Sequence, residues 1–325
     1  MAPGSQNDAT LSQLISSING DFSKLGNLIK TYPRPISAST KDVTIRAHYL
    51  PFRSGQPMVG ELIDVIRGFI VNFALPKAEI NEAHQKAAGE NDQERLLTYI
   101  SLRDTAADLF IKAQKATGRS GECGELLLFL LLEWVVEAPQ IIAKMALKTN
   151  GQMPVHGSDG IHIKYDDQTN TLLFFWGEAK LHASISSGLE RAITSISEAI
   201  QYGKMTTDIN LVKRYFDLSG LPAASKAPIL EHLDPLSPSY GSKLDVSACL
   251  IGFNFAKFGK LANEEKIEDA FCEFLGEELS DAVNRLEATL KAKGISHHRM
   301  EFFFLPVPSV EDLRKDFQNR IGWVT

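Results

Sequence analysis

Two carboxylates and an amine have the types and spacing to do chemistry: Asp159, in the run Ser158, Asp159, Gly160, and then Glu178 and Lys180 on either side of Ala179. The stretch Leu172 to Lys180 alternates as a strand does. Successive side chains on a strand point to opposite faces, so Leu172, Phe174, Trp176, Glu178 and Lys180 share one face, with Leu173, Phe175 and Ala179 on the other. A second strand over Ile161 to Tyr165 is joined to it by the polar turn Asp166 to Asn170. If that hairpin is symmetric about Gln168 and Thr169, Asp159 falls opposite Glu178, with Cβ atoms about 5 Å apart. Carboxylates that close repel unless a cation lies between them. Hard Mg2+, or Mn2+, favours carboxylate and carbonyl oxygens with water, so Asp159, Glu178 and the main-chain carbonyl of Ala179 make a partial shell. Lys180 then stands where it can orient a water or neutralise a developing oxyanion, an arrangement suited to phosphodiester hydrolysis.

The bare pattern is short and permissive, and a plain hairpin with polar ends carries the same letters more often than not. Its context favours the chemical reading, because the pair closes an apolar strand on the face of Phe174 and Trp176. Glu125 is a further candidate for the metal shell. It precedes the apolar run Leu126 to Leu132 and shares a helix face with Glu122, yet a first-turn glutamate favoured by the helix dipole explains it equally well. His156 and His162 are candidate ligands, but alternation turns His162 away from Asp159 and makes it a structural histidine. His182 lies near Lys180 and reads as a surface residue. Gly252 to Lys260 misses the phosphate-loop spacing, and neither a HExxH nor a GxSxG motif occurs, which sets aside ATPase, zinc peptidase and serine hydrolase readings.

The elements that must position these residues follow from periodicity. A short helix is expected within residues 10–31, a strand at Val43 to Tyr49, and helices over Met58 to Ala74 and Asn91 to Lys115. Ser120 is a plausible N-cap for a helix from Glu122 to Glu137, and Pro139 is expected to start another reaching Leu147. After the hairpin come helices from Ser184 to Tyr202 and from Thr207 to Leu218. Four prolines in residues 220–243 predict an irregular excursion. Strands at Val246 to Phe255 and Met300 to Val307 alternate with helices over Glu264 to Lys291 and Val310 to Arg320, a mixed α/β layering.

A 325-residue chain with 44% hydrophobic residues can bury a large core, as one domain or two. The division suggested is a mainly helical region over 1–117 and a core over 118–325, with one continuous domain also allowed. Cys123, Cys249 and Cys272 fit no zinc spacing and leave an odd thiol, which favours a reducing, cytoplasmic setting. The first residues lack the basic and apolar stretches of a signal peptide, and no apolar run is long enough to span a bilayer. A net charge of −6 argues mildly against nucleic-acid binding, although a bound divalent cation reverses the local sign.

The run from Gly121 through Glu125, the segment Pro154 to Gly160, the run Trp176 to Lys180 and the helix Gly188 to Ile200 together resemble the HamA family, nuclease subunits of the Hachiman anti-phage system. The resemblance is most specific over about residues 118–205. It implies an α/β fold with a PD-(D/E)xK restriction-endonuclease-like core, a mixed sheet flanked by helices behind a mainly helical N-terminal extension. It implies a metal-dependent DNA nuclease restrained by HamB, a superfamily 2 helicase, and released when invading or damaged DNA is sensed. The family's acidic and lysine positions map to Asp159, Glu178 and Lys180, with Glu125 a less certain match. Ser158 rather than proline precedes Asp159, so the literal PD is absent. The reading from a different class is a non-catalytic DNA-binding or regulatory subunit of a helicase complex that keeps the hairpin without its chemistry.

Overall fold

Two fully buried stretches, Val246 to Phe253 and Met300 to Val307, need cover on both faces, as the central parallel strands of an α/β sheet do. The computed structural model describes residues 10–117, 121–148, 158–261 and 266–323. Its main sheet has seven strands: β1 (Lys30–Thr31), β2 (Val43–Tyr49), β3 (Gln140–Ile142), β4 (Ile161–Asp166), β5 (Thr171–His182), β6 (Lys243–Asn254) and β7 (Arg299–Val307). The spatial order is β1-β2-β7-β6-β5-β4-β3. The middle four strands, β2, β7, β6 and β5, are parallel, and β1, β4 and β3 add antiparallel edges.

The longer helices are α1 (Asp92–Thr117), α2 (Glu122–Leu131), α3 (Ile185–Gln201), α4 (Lys204–Tyr215), α5 (Ala223–His232), α6 (Ile267–Lys293) and α7 (Val310–Arg320). On one face of the sheet, α1, α2, α7 and the helical residues 59–74 close over Phe175, Leu250 and Phe303. On the other face, α3 and α6 cover Cys249, Ile251, Phe302 and Phe304. A third cluster joins Ile161, Phe174 and Trp176 to Val212 of α4 and Ile229 of α5.

The predicted hairpin forms in the expected register, from Asp166 opposite Thr171 to Ile161 opposite Trp176. Helix α7 and strand β2 occupy their predicted spans. Three expectations are corrected. Residues after Pro139 form strand β3, and a helix begins only at Lys144 (Lys144–Lys148), because the edge of β4 offers pairing partners in His162 and Ile161. Helix α5 runs through the supposedly irregular proline-rich stretch. Pro222 precedes its first turn, Pro228 lies inside it, and Ile229 buries against the third cluster, so tertiary packing outweighs the missing N–H. The short helix expected within residues 10–31 forms at Leu11–Ser16, followed by a 3-10 turn at Ser23–Asn27 and strand β1. The helix expected to reach Glu137 becomes π-helical over Leu132–Val136 and ends with Glu137 left-handed at φ 59°. Ser120 lies outside the described residues, and Gly121 occupies the N-cap of α2.

Candidate functional site

Strand β5 outruns its hairpin partner, and the chemistry gathers where the ladder stops. Gly177 donates its N–H to the Gly160 carbonyl at 2.9 Å, in the hairpin's register. One residue further on, the chain slips. The Asp159 N–H turns back to the Gly177 carbonyl at 2.6 Å, and its carboxylate accepts the Ala179 N–H at 2.8 Å. Asp159 therefore does not sit in a regular cross-strand pair with Glu178, as a rigid ladder would have it. It is drawn along β5 toward Ala179. In an antiparallel ladder a residue's N–H and C=O point to the same side. The Ala179 carbonyl accordingly faces the side on which Asp159 lies.

Glu178 and Lys180 do share a face, as alternation requires, beneath α3, and the Lys180 ammonium donates to the Glu178 carboxylate. Their side chains are 17% and 24% exposed, so solvent reaches both without flooding either. Burial raises the Glu178 carboxyl above its ordinary pKa, the Asp159 charge raises it further, and Lys180 and a hydrogen bond with Ser195 oppose the shift. Burial works against the Lys180 ammonium, but the carboxylates of Glu178 and Asp159 outweigh it and hold its pKa above the usual lysine value.

Two hollows meet at this strand end. One, of about 190 Å³, is lined by Asp159, Glu178, Asp208, Ser195 and Ser247 among others. The second is an open cleft of about 910 Å³ whose walls include Ala179, Lys180, His182, Arg191, Arg314 and Thr194. Ser195 of α3 lines both. The first is acidic, and the second is basic on balance, with Lys180, Arg191 and Arg314 set against the carboxylate of Glu190. His182 feels the difference: burial, with the charges of Arg191, Arg314 and Lys180, lowers its pKa and favours the neutral ring. Arg314 of α7 is held in the wall by donating to the Leu181 carbonyl at 2.5 Å.

The donor chemistry fits a hard divalent cation. Asp159 and Glu178 contribute carboxylates that lie close enough to repel, and Ala179 a carbonyl directed to the same side, which with waters is a shell of the Mg2+ kind. Among the described residues, no cluster of three or more histidine, cysteine or acidic side chains assembles. The three cysteines are buried and form no disulfide, and burial with the charges of Glu178 and Asp159 raises the Cys249 thiol well above its ordinary value.

Glu125 arrives from the opposite face. Helix α2 packs there so closely that a Cβ on Gly124 would lie 3.1 Å from Leu181 and 3.4 Å from Ala179. The half-buried Glu125 carboxylate lies near Gly121, which lines the basic cleft beside Ala179 and Lys180. That places it at the rim of the basic cleft. His162 is structural: buried, with its Nδ1 bonded to the Ala138 carbonyl at 2.8 Å and its pKa pushed by burial down to about 3. His156 lies outside the described residues.

Sequence reasoning missed Ser195, Asp208, Arg314 and Lys144. The one clear local signal among them was Lys144, a charge in the otherwise apolar stretch Ile141 to Leu147. No helix among the described residues is long and apolar enough to cross a membrane. No curated protein matches the chain. The family model HamA matches residues 27–321, and the chain belongs to the HamA family, a component of Hachiman anti-phage defence.

Proposed function

We propose that the protein is a metal-dependent DNA endonuclease of the PD-(D/E)xK type, the effector of its defence system. The supporting observation is the junction itself: an acidic hollow holding Asp159 and Glu178 opens beside a basic cleft holding Lys180, Arg191 and Arg314. One side suits a cation and the other a phosphate chain. Asp159, Glu178 and the Ala179 carbonyl would hold Mg2+ or Mn2+. Such an ion supplies Lewis-acid stabilisation of phosphoryl oxygens and lowers the pKa of water.

The chain's own residues supply the rest. Arg191 and Arg314 grip backbone phosphates flanking the scissile one, using charge-assisted hydrogen bonds. Lys180, kept protonated by its carboxylate neighbours, neutralises the negative charge that builds on the phosphoryl oxygens as water adds, losing a proton to solvent, and the P–O bond to the leaving oxygen breaks, that oxygen taking up a proton from solvent. Glu178 aims that ammonium through their mutual hydrogen bond. The protein's overall charge of −6 leaves long-range DNA capture to a partner, and a HamB-like superfamily 2 helicase that restrains the nuclease fits that need.

A plasmid-nicking assay with and without Mg2+ tests the reading. Glu178→Ala and Lys180→Ala are each expected to lower cleavage by about a hundredfold or more while leaving the melting transition intact. Undiminished nicking by folded variants would remove it. The non-catalytic alternative draws on the finding that, among the described residues, no group of three or more histidine, cysteine or acidic side chains is placed to hold a metal ion. It predicts wild-type DNA binding without cleavage in Mg2+ or Mn2+.

A further inference from the structure

A wholly buried ion pair stands immediately behind Asp159. Lys144, just after β3, and Asp208, on α4, are each 1% exposed, and Lys144 Nζ lies 2.8 Å from Asp208 Oδ1. Ser158, the residue before Asp159, is caught between them. Its carbonyl accepts from Lys144 at 2.8 Å, and its N–H donates to Asp208 Oδ2 at 3.1 Å. Its hydroxyl donates to the same Oδ2 at 2.9 Å and accepts from Lys144 at 3.2 Å. Both main-chain polar groups of one residue are thereby held by a single charge pair.

Stability gives weak reason for such an arrangement, because removing two charges from water costs about as much as their attraction returns, and apolar replacements often serve as well. What apolar side chains cannot do is fix an N–H and a C=O in space. The need is local. The strand ladder ends at Gly160 and Gly177, so no regular pairing sets the position of residue 158. Asp208 lines the acidic hollow, but both of its oxygens are committed to Lys144 and Ser158, which makes it a support and not a ligand.

We infer that Lys144 and Asp208 are positioning residues that clamp the Ser158 main chain and so hold the Asp159 carboxylate in place to bind a divalent cation. The inference rests on the reading of Asp159 and Glu178 as cation ligands. Groups that orient a ligand from behind typically account for about ten- to a hundredfold in metal affinity.

Mn2+ titration of the full-length chain, with free Mn2+ followed by electron paramagnetic resonance, tests it. Asp208→Asn is expected to bind Mn2+ about ten- to a hundredfold more weakly than wild type. Its affinity for a duplex oligonucleotide in metal-free buffer is expected to stay within about twofold, because the phosphate-gripping arginines line the other cleft. If that variant does not fold, Lys144→Met combined with Asp208→Asn, which leaves no buried charge, takes its place with the same expectation. Wild-type Mn2+ affinity in a folded variant overturns the clamp, as does an equal loss of metal-free DNA binding, or a double variant that cannot fold. Failure of the underlying reading shows elsewhere: wild type then binds no Mn2+, or Glu178→Ala binds it as tightly as wild type.

Discussion

At the scale of single residues, the proposed metal site would set protons against a cation for Glu178. Burial and the neighbouring Asp159 charge raise its carboxyl pKa, so the free protein keeps this proton to a higher pH than an ordinary glutamate does. A cation must displace it. Below the raised pKa, affinity therefore falls with pH, by about tenfold per unit for one proton released, and above it affinity levels off. The half-saturating Mg2+ concentration for cleavage is expected to rise as the pH is lowered through the acidic range, and Glu178→Gln, which has no proton to displace, should bind weakly at every pH. A Mg2+ requirement that stays flat for as long as the protein remains folded on acidification would contradict this. Glu178, Lys180 and Asp159 were legible because two-residue alternation and one polar turn relate them locally. Lys144 and Asp208 were not, since they lie on separate elements 64 positions apart and pair only once the chain has folded.

Among the elements, the decisive contact is between the end of the hairpin and helix α2. A Cβ at Gly177 would lie 3.2 Å from the Gly160 nitrogen and 3.2 Å from Leu128 of α2, so this position is squeezed between the Gly160 backbone and a leucine of the helix. Gly177→Ala is expected to cost about 1–3 kcal/mol of stability as an overpacked site, measurable by urea denaturation. It should also lower cleavage more than that loss explains, because Gly177 holds both Gly160 and the Asp159 N–H. An alanine variant with wild-type stability and activity would show that the close approach is dispensable. The hairpin could be read from sequence because its turn and alternation are local signals. Strand β3 could not: Pro139 reads as a helix start, and only the edge of β4, some twenty residues away, draws Gln140 to Ile142 into the sheet. Helix α5 was obscured by Pro228, a cost that burial of Ile229 and Leu233 offsets.

For the molecule as a whole, the hairpin that carries Asp159, Glu178 and Lys180 and the N-terminal region share one sheet and one core. Strand β2 pairs with β7 from Val43 opposite Met300 to Ala47 opposite Phe304. That parallel pairing joins segments more than 250 positions apart, which no local pattern records, so the strand was legible and its partner was not. A single apolar cluster runs from Phe22 to Ile321 and takes in Leu62, Ile66, Phe73 and Phe110 along with Leu126, Phe175 and Phe303. Removing residues 1–117 would uncover the edge of β7, where Phe302, Phe303 and Phe304 are now fully buried, and would strip one face of the sheet of α1 and the helical residues 59–74. A bare, flat, apolar strand edge is a template for aggregation. A chain beginning at residue 118 is accordingly expected to be recovered as aggregate on size-exclusion chromatography and to show no cooperative melting transition, although it retains Asp159, Glu178 and Lys180. A monomeric, cooperatively melting fragment that nicks plasmid in Mg2+ would show instead that the strand end organises itself without β2 and the N-terminal helices.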